Sequence, residues 1–532
     1  MRVLSGIMSM VTKKSALNLE LPKKTGSLCP ECKARITAEI YEENGKVMIR
    51  KTCPKHGEFK DIYWSDVGLY LMAESWAVDG IGVENPAVPV KNGCPDDCGL
   101  CKVHMSHTSL ANLDLTNRCN LRCPICFANA NDAGYVFEPT FDEVVKMLET
   151  LRAERPVACT ALQFAGGEPT IYPHFFEAIA KAKELGFAQI QVATNGIKMA
   201  TDPTFTQRMV DAGLHTVYLQ FDGLREENYI QARGRPLLEI KKKAIQSCRD
   251  CVPKLSVVLV PTVVNGMNDD QMGEILDYAI QNRDAVRGVN FQPVSFTGRI
   301  DQNERFAGRF TLPDMVDRLG KQTDYLKRED WFPVPVVTPV SEFLSVMKGT
   351  PQLAFTPHPH CGLATYLYVD EKGVATPLTK FVDVENLFRD IKKLAEETEN
   401  KTIKSASLIK AYGLIRKHFK KDKAPKGLSV NKFLKQLEGV FSTTDKKATA
   451  EISWGLIMVG GMHFQDLYNY DIERVKRCVI HYVVPDGRII PFCAYNTGPE
   501  YRKEVEKKFS MTFEEYKKRH GPNSHPEGEI CP

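Results

Sequence analysis

Two cysteine triplets share one spacing, C-x3-C-x2-C: Cys119, Cys123 and Cys126, and before them Cys94, Cys98 and Cys101. Three thiolates so placed can hold three irons of a 4Fe–4S cube and leave the fourth without a protein ligand. An open metal position can take a chelating substrate or cofactor. A zinc knuckle with a distant fourth ligand fits the spacing as well. The chain has sixteen cysteines, and nine of them precede residue 127, so the N-terminal quarter is organised around metal. Cys29-Pro-Glu-Cys32 and Cys53-Pro-Lys-His56 supply a four-coordinate site of three thiols and an imidazole, which suits a rubredoxin-like or zinc-ribbon unit. A rubredoxin iron needs four thiolates, so His56 leaves zinc and iron both open. Towards the C-terminus, Cys361, Cys478, Cys493 and Cys531 could bind one more 4Fe–4S cluster. Cys159, Cys248 and Cys251 are assigned to ordinary packing.

These residues must be positioned by the elements around them. Residues 25–65 alternate apolar and polar on either side of Asn44-Gly45, a hairpin signal. Residues 66–111 look irregular. From 112 to about 300, six β-rich runs alternate with stretches of helical period, which implies a parallel sheet with crossover helices. Periodicity leaves a barrel-like (β/α) sheet and an open doubly wound sheet both open. The second triplet directly follows the first of these strands, at the end where α/β barrels place their chemistry. The second strand runs into Gly166-Gly167-Glu168-Pro169. Paired glycines allow close approach to the backbone, and Glu168 offers a carboxylate to an ammonium group. After residue 300 the alternation stops, and residues 301–532 form an α+β region whose most basic tract is 416–426.

The balance of 70 Lys and Arg against 66 Asp and Glu leaves a net charge of +4, which does not indicate a nucleic-acid partner. No apolar run is long enough to span a bilayer, and no secretory signal is seen. A cytoplasmic location follows by default, with reduced thiols available to metal.

The triplet after the first strand, together with Gly-Gly-Glu-Pro after the second, resembles the radical S-adenosylmethionine (SAM) superfamily. The resemblance implies a partial (β/α)6 barrel. It also implies a 4Fe–4S cluster on Cys119, Cys123 and Cys126 that binds SAM and yields a 5′-deoxyadenosyl radical. Residue by residue, Gly166, Gly167 and Glu168 would face the methionine amino group and Ile125 the adenine. Thr194-Asn195 and Gln220 with Asp222, at later strand ends, would face SAM, and Arg233 would pair with its carboxylate. The first triplet, with no barrel strand before it, would hold an auxiliary cluster.

Across nearly the whole chain, the order of ribbon, Gly-Cys-Pro-x-Asp-Cys-Gly-Leu-Cys and radical SAM core looks like the archaeal tetraether lipid synthase family. Members of that family have also been labelled 7,8-dihydro-6-hydroxymethylpterin methyltransferases. This resemblance implies three 4Fe–4S clusters, a mononuclear iron and a low-potential electron donor. The main expectation is C–C coupling of isoprenoid chain ends of an archaeol-type diether lipid, with peripheral membrane contact. A terminal methyl has no acidic proton, so radical chemistry suits it where base chemistry does not. The alternative expectation is radical methyl transfer to 7,8-dihydro-6-hydroxymethylpterin.

Overall fold

The computed structural model describes residues 10–301, 305–399, 401, 404–441 and 455–521. Cys531 lies outside them. Strands β1 (Lys23–Leu28), β2 (Arg35–Glu43), β3 (Lys46–Cys53) and β4 (Gly57–Trp64) form an antiparallel meander in chain order. Asn44 and Gly45, at φ of 53° and 73°, make the turn between β2 and β3, a conformation that asparagine and glycine tolerate best. The alternation of Ala38, Ile40, Val47 and Ile49 puts all four inward, and with Tyr63 and Trp64 they join the core that also fills the barrel. The ribbon is therefore welded to the main body, although metal-bound knuckles form its far end.

Residues 66–111 are less irregular than the sequence implied. Helix α1 (Val67–Glu74) starts at Asp66, whose side chain accepts a hydrogen bond from the Leu69 amide at 2.8 Å. Its apolar residues (Val67, Leu69, Leu71, Met72) go round the helix without a one-sided stripe, so no amphipathic period marks it.

The barrel strands are β5 (Leu110–Asp114), β6 (Ala161–Ala165), β7 (Gln189–Thr194), β8 (Thr216–Gln220), β9 (Ser256–Val260) and β10 (Val286–Pro293). Each pairs in parallel with the next in chain order. An open doubly wound sheet would reverse its strand order at a switch point. This one does not, which leaves the partial barrel. The crossovers include α2 (Phe141–Ala153), α3 (Phe175–Glu184), α4 (Phe205–Ala212), α5 (Glu226–Arg233), α6 (Leu238–Asp250) and α7 (Met272–Gln281).

The C-terminal region extends the sheet at both ends. After β11 (Gly362–Val369), strand β12 (Leu456–Met462) runs parallel to β10, while β13 (Ile480–Val483) runs parallel to β5. β11 and β14 (Ile489–Pro491) cap these additions in antiparallel fashion. A buried Arg309 guanidinium joins three regions by pairing with Asp61 of β4 at 2.8 Å and Asp466 at 2.6 Å. Within the 416–426 tract, Lys417 and His418 both reach Asp390 at 2.8 Å, so part of that charge is neutralised by a neighbouring helix. Among the described residues, no helix is long and apolar enough to cross a membrane.

Candidate active site

Directly after β5, residues 115–135 loop over the C-terminal mouth of the barrel and carry Cys119, Cys123 and Cys126. The loop is held from several sides. Asn131 accepts from the Cys119 amide at 2.9 Å and donates to the carbonyls of Cys119 and Leu121. Cys126 and Arg299 exchange two backbone hydrogen bonds of 3.0 Å, and the Arg299 side chain donates to the Cys123 carbonyl at 2.7 Å. The amides of Leu121 and Ala130 point at the sulfurs of Cys119 and Cys126, both at 3.4 Å. All three cysteines line a cavity of about 320 Å³.

The other strand ends close around the same cavity. Gly166 and Gly167 are required by the protein's own backbone: a Cβ on them would sit 2.3 Å from the Thr116 carbonyl oxygen and 2.2 Å from that of Arg118. These glycines therefore let the β6 end press against the cysteine loop, where the sequence suggested close approach by a ligand. Glu168, fully buried, accepts from the hydroxyls of Thr170 and Thr194 at 2.6 and 2.7 Å and from the Asn195 amide at 2.9 Å. Its carboxylate joins the ends of β6 and β7. Asn195 donates in turn to Asn120 of the loop at 2.7 Å.

At the β8 end, Asp222 and Arg233 form a two-pronged pair of 2.7 and 2.8 Å, the planar fork that guanidinium and carboxylate make best. Burial opposes ionisation of Asp222, but Arg233 holds its carboxyl below the usual range. Arg233 also donates to the Ile125 carbonyl at 2.7 Å, which pins the middle of the cysteine loop. Ile125, Thr194, Asn195, Gln220 and Arg233 all line the cavity, whereas Asp222 stands behind Arg233 and does not. Lys241 was not identified from the sequence. Burial lowers it to about 8 against the opposing charge of Asp222, and it donates to the Asn195 carbonyl at 2.6 Å and to Gln220 at 3.1 Å. Its one signal was position: it lies on the buried stripe of α6 with Leu238, Ala244, Ile245 and Cys248.

The other cysteines fall into three groups. In the ribbon, the ligand atoms of Cys29, Cys32, Cys53 and His56 lie within 4.8 Å of one another. Cys32 and Cys53 sulfurs are 3.9 Å apart, and His56 Nδ1 is 3.5 Å from both Cys29 and Cys53. A tetrahedral ion with metal–sulfur bonds of about 2.3 Å sets its thiolates about 3.8 Å apart, so this set fits one ion. Cys94, Cys98 and Cys101 gather over β14 around a cleft of about 10 Å³. The Cys98 thiol is pushed well up by its hydrogen bond to Cys94, by burial, and by the nearby thiols of Cys101 and Cys478. Cys361, Cys478 and Cys493 influence one another: burial pushes Cys493 up to about 11, and Cys361 adds to it. Arg474 donates to the Cys361 sulfur at 3.4 Å.

With this geometry in view, known proteins give a consistent result. A model of the radical SAM superfamily matches residues 113–279, and one of the HMPTM N-terminal zinc ribbon domain matches residues 21–65. Over 502 residues the chain is 47% identical to the 7,8-dihydro-6-hydroxymethylpterin dimethyltransferase of Methanocaldococcus jannaschii, covering 94% of this chain and 98% of that one. The chain belongs to the radical SAM superfamily, in the family of that archaeal protein. The GTP 3′,8-cyclase of Chlorobaculum tepidum is 27% identical over 40% of this chain and 64% of its own. Among solved structures, Streptococcus suis SuiB covers 41% of this chain and 46% of its own, at 17% identity and a TM-score of 0.32.

As a radical SAM iron–sulfur enzyme, the protein takes a 4Fe–4S cluster and SAM. The donor set fits. Burial pushes the Cys119 thiol well up, with the Glu168 charge adding to it, and Cys123 is raised by burial against the pull of Arg233. Buried thiols of this kind ionise when a metal takes their protons' place, and the amides aimed at two of the sulfurs suit thiolates.

The lipid expectation is overturned. The 47% identical relative is named for a pterin substrate, so neither an archaeol-type diether nor membrane contact is supported. In the mostly apolar lining of the cavity, Asn112, Gln163, Asn290, Gln292, Ser295 and Thr297 contribute amides and hydroxyls.

Proposed function

We propose that this protein is a radical SAM methyltransferase acting on 7,8-dihydro-6-hydroxymethylpterin or a close relative of it. The observation that carries the reading is near end-to-end identity of 47% with an enzyme named for that reaction. The amides and hydroxyls set in the apolar cavity wall support it, because a pterin presents an apolar ring face and several ring donors and acceptors that must be satisfied when buried.

In this reading, Cys119, Cys123 and Cys126 hold the cluster. A 4Fe–4S cluster with SAM supplies, on one-electron reduction, a carbon radical that can remove hydrogen from an unactivated position. The chain's own residues bind and orient. Arg233, whose fork is held by Asp222, fixes Ile125 and has one remaining N–H for the SAM carboxylate. Glu168, Thr194 and Asn195 lock the β6 and β7 ends so that their backbone groups present a fixed edge to the methionine end of SAM. Gln220, oriented by Lys241, stands at the ribose side. Cys94, Cys98 and Cys101 hold one auxiliary cluster, while Cys361, Cys478 and Cys493 hold another. Cys29, Cys32, Cys53 and His56 hold a single zinc or iron ion that stabilises the ribbon. A reducing cytoplasmic setting fits the described cysteines, none of which is in a disulfide.

The reaction takes one SAM as radical source and a second one-carbon donor as methyl source. The test is anaerobic reconstitution with iron and sulfide, a chemical reductant, SAM, such a donor and the dihydropterin, followed by mass spectrometry. The expected products are 5′-deoxyadenosine and a pterin heavier by one or two methyl substitutions. Nucleoside formation with an unchanged pterin refutes the substrate assignment.

A further inference from the structure

Three amide side chains run in line across three barrel strands, and two of them, Asn112 and Gln163, line the cavity. Asn112 on β5 stands opposite Gln163 on β6, and Gln163 opposite Gln191 on β7. Gln191 Nε2 donates to Gln163 Oε1 at 2.8 Å, and Gln163 Nε2 donates to Asn112 Oδ1 at 2.7 Å. Each amide thus passes its donor forward, and Tyr218 closes the far end against Gln191. The row ends on Asn112 Nδ2. Asn112 is 1% exposed and its Nδ2 has no hydrogen-bond partner, although the residue lines the cavity. A buried amide donor left unmade costs free energy, on the order of 1–3 kcal/mol, so a site that keeps one has a use for it. Beside it in the sheet, Asn112 pairs with Tyr482 of β13, whose ring lies 5.4 Å from that of Phe492, at the start of the short helix after β14. Phe464, just after β12, stacks on Phe492 at 3.8 Å and 18°, and Phe127 of the cysteine loop lies 5.3 Å from it. Phe464, Phe492 and Phe127 line the same cavity. Aromatic rings and one buried donor without a partner together suit a planar heterocycle that carries an acceptor on its edge.

We infer that Asn112 is the residue that reads the pterin ring. Its Nδ2–H donates to an edge acceptor of the heterocycle, a ring nitrogen or the ring carbonyl, while the Phe464–Phe492 wall takes the ring's apolar surface. Gln163 and Gln191 are positioning residues, which hold the Asn112 oxygen so that its nitrogen faces the cavity. This inference rests on the function proposed above and adds to it the side of the barrel where the substrate lies and the residue that discriminates it. A site built around such a donor rejects ligands that cannot accept from it far more strongly than an apolar pocket rejects a misfit.

The experiment is equilibrium dialysis of 7,8-dihydro-6-hydroxymethylpterin against reconstituted, SAM-loaded enzyme without reductant. Asn112→Asp keeps the side chain's size and its acceptor for Gln163 but replaces the forward donor with an acceptor. Its dissociation constant should rise at least about tenfold, one decade corresponding to about 1.4 kcal/mol. Gln163→Leu, which frees the Asn112 amide to turn, should weaken binding by a smaller factor, and it carries the test if Asn112→Asp does not fold. Retention of the pterin within twofold of wild type by the folded variants overturns the assignment of Asn112 and leaves the substrate reading intact. Failure of the wild type to retain the pterin overturns both.

Discussion

The two C-x3-C-x2-C triplets are identical in spacing and opposite in setting. Cys119, Cys123 and Cys126 follow a barrel strand and border a cavity of about 320 Å³. Cys94, Cys98 and Cys101 precede that strand and border a cleft of about 10 Å³. Around the first set stand Glu168, Thr194, Asn195, Gln220 and Arg233, each fixed by a second partner. Around the other lie Val475, Lys476, Pro491 and His104, and the thiol of Cys478 is close enough to disturb Cys98. Spacing thus specifies how three thiols can share a metal unit, while room beside them decides whether anything else can reach it. A triplet with space beside it can serve chemistry. One without such space suits an electron-carrying or structural unit.

The sharpest way to break this contrast is a pair of substitutions. Cys126→Ala should abolish reductive formation of 5′-deoxyadenosine and remove about four irons per chain, the content of one cube. Cys98→Ala should remove as much iron, yet still give the nucleoside while losing methylated pterin. Iron analysis and chromatography of the reaction read both outcomes, and the reverse pattern would exchange the roles of the triplets.

Next in size is the support behind each triplet. Asp222→Asn strips Arg233 of its charged partner in the interior, a loss of about 3–5 kcal/mol for breaking one side of a buried pair. It should lower the midpoint of chemical unfolding and weaken SAM binding together. Asp97, which receives the amides of Lys91 and Gly93 beside the other triplet, is near the surface. Asp97→Asn should disturb only that loop and leave SAM binding as it was.

The smallest effect concerns the segment that joins the two triplets. Its Thr108 amide donates at 2.8 Å to Glu154, a carboxyl that burial raises to about 7. Through the pH range between them, the folded protein therefore holds a proton that the unfolded chain, with the ordinary carboxyl value of 4.5, has already released. That contribution to stability is complete below about pH 4.5 and is lost as pH rises through about 7. Glu154→Gln should flatten this part of the stability profile, as measured by urea unfolding across the range. An unchanged slope would remove Glu154 from the account.

Much of the fold was legible because its signals are local. Alternating runs, the Asn44-Gly45 turn and six strand–helix repeats depend on neighbours in sequence, and the cysteine spacings do too. What escaped was set by partners far along the chain. β12 and β13 look like ordinary short strands, and nothing in them says that one will flank β10 and the other β5. Helix α1 lacked a polar face to give it a period. In the site, Gly166 and Gly167 stood out as glycines, but that they make room for Thr116 and Arg118 could be seen only once the two loops met. Lys241 left a trace, a charge on an apolar stripe, whereas the orphaned amide of Asn112 left none. The substrate was misread for another reason: the cysteine pattern reports the radical chemistry and not what it acts on, and the cavity wall comes from scattered single residues.

The placement of β12 and β13 has a consequence for how the protein is made. Until residues 456–483 have emerged from the ribosome, both flanks of the six-stranded sheet stay open, with unpaired amides and carbonyls available to any passing strand. Of the thiols near the auxiliary positions, Cys478 arrives with this segment and Cys493 later still. The nascent chain must therefore wait, edges bare, for its last tenth before the sheet can be sealed. A truncation there would be felt first as aggregation during synthesis.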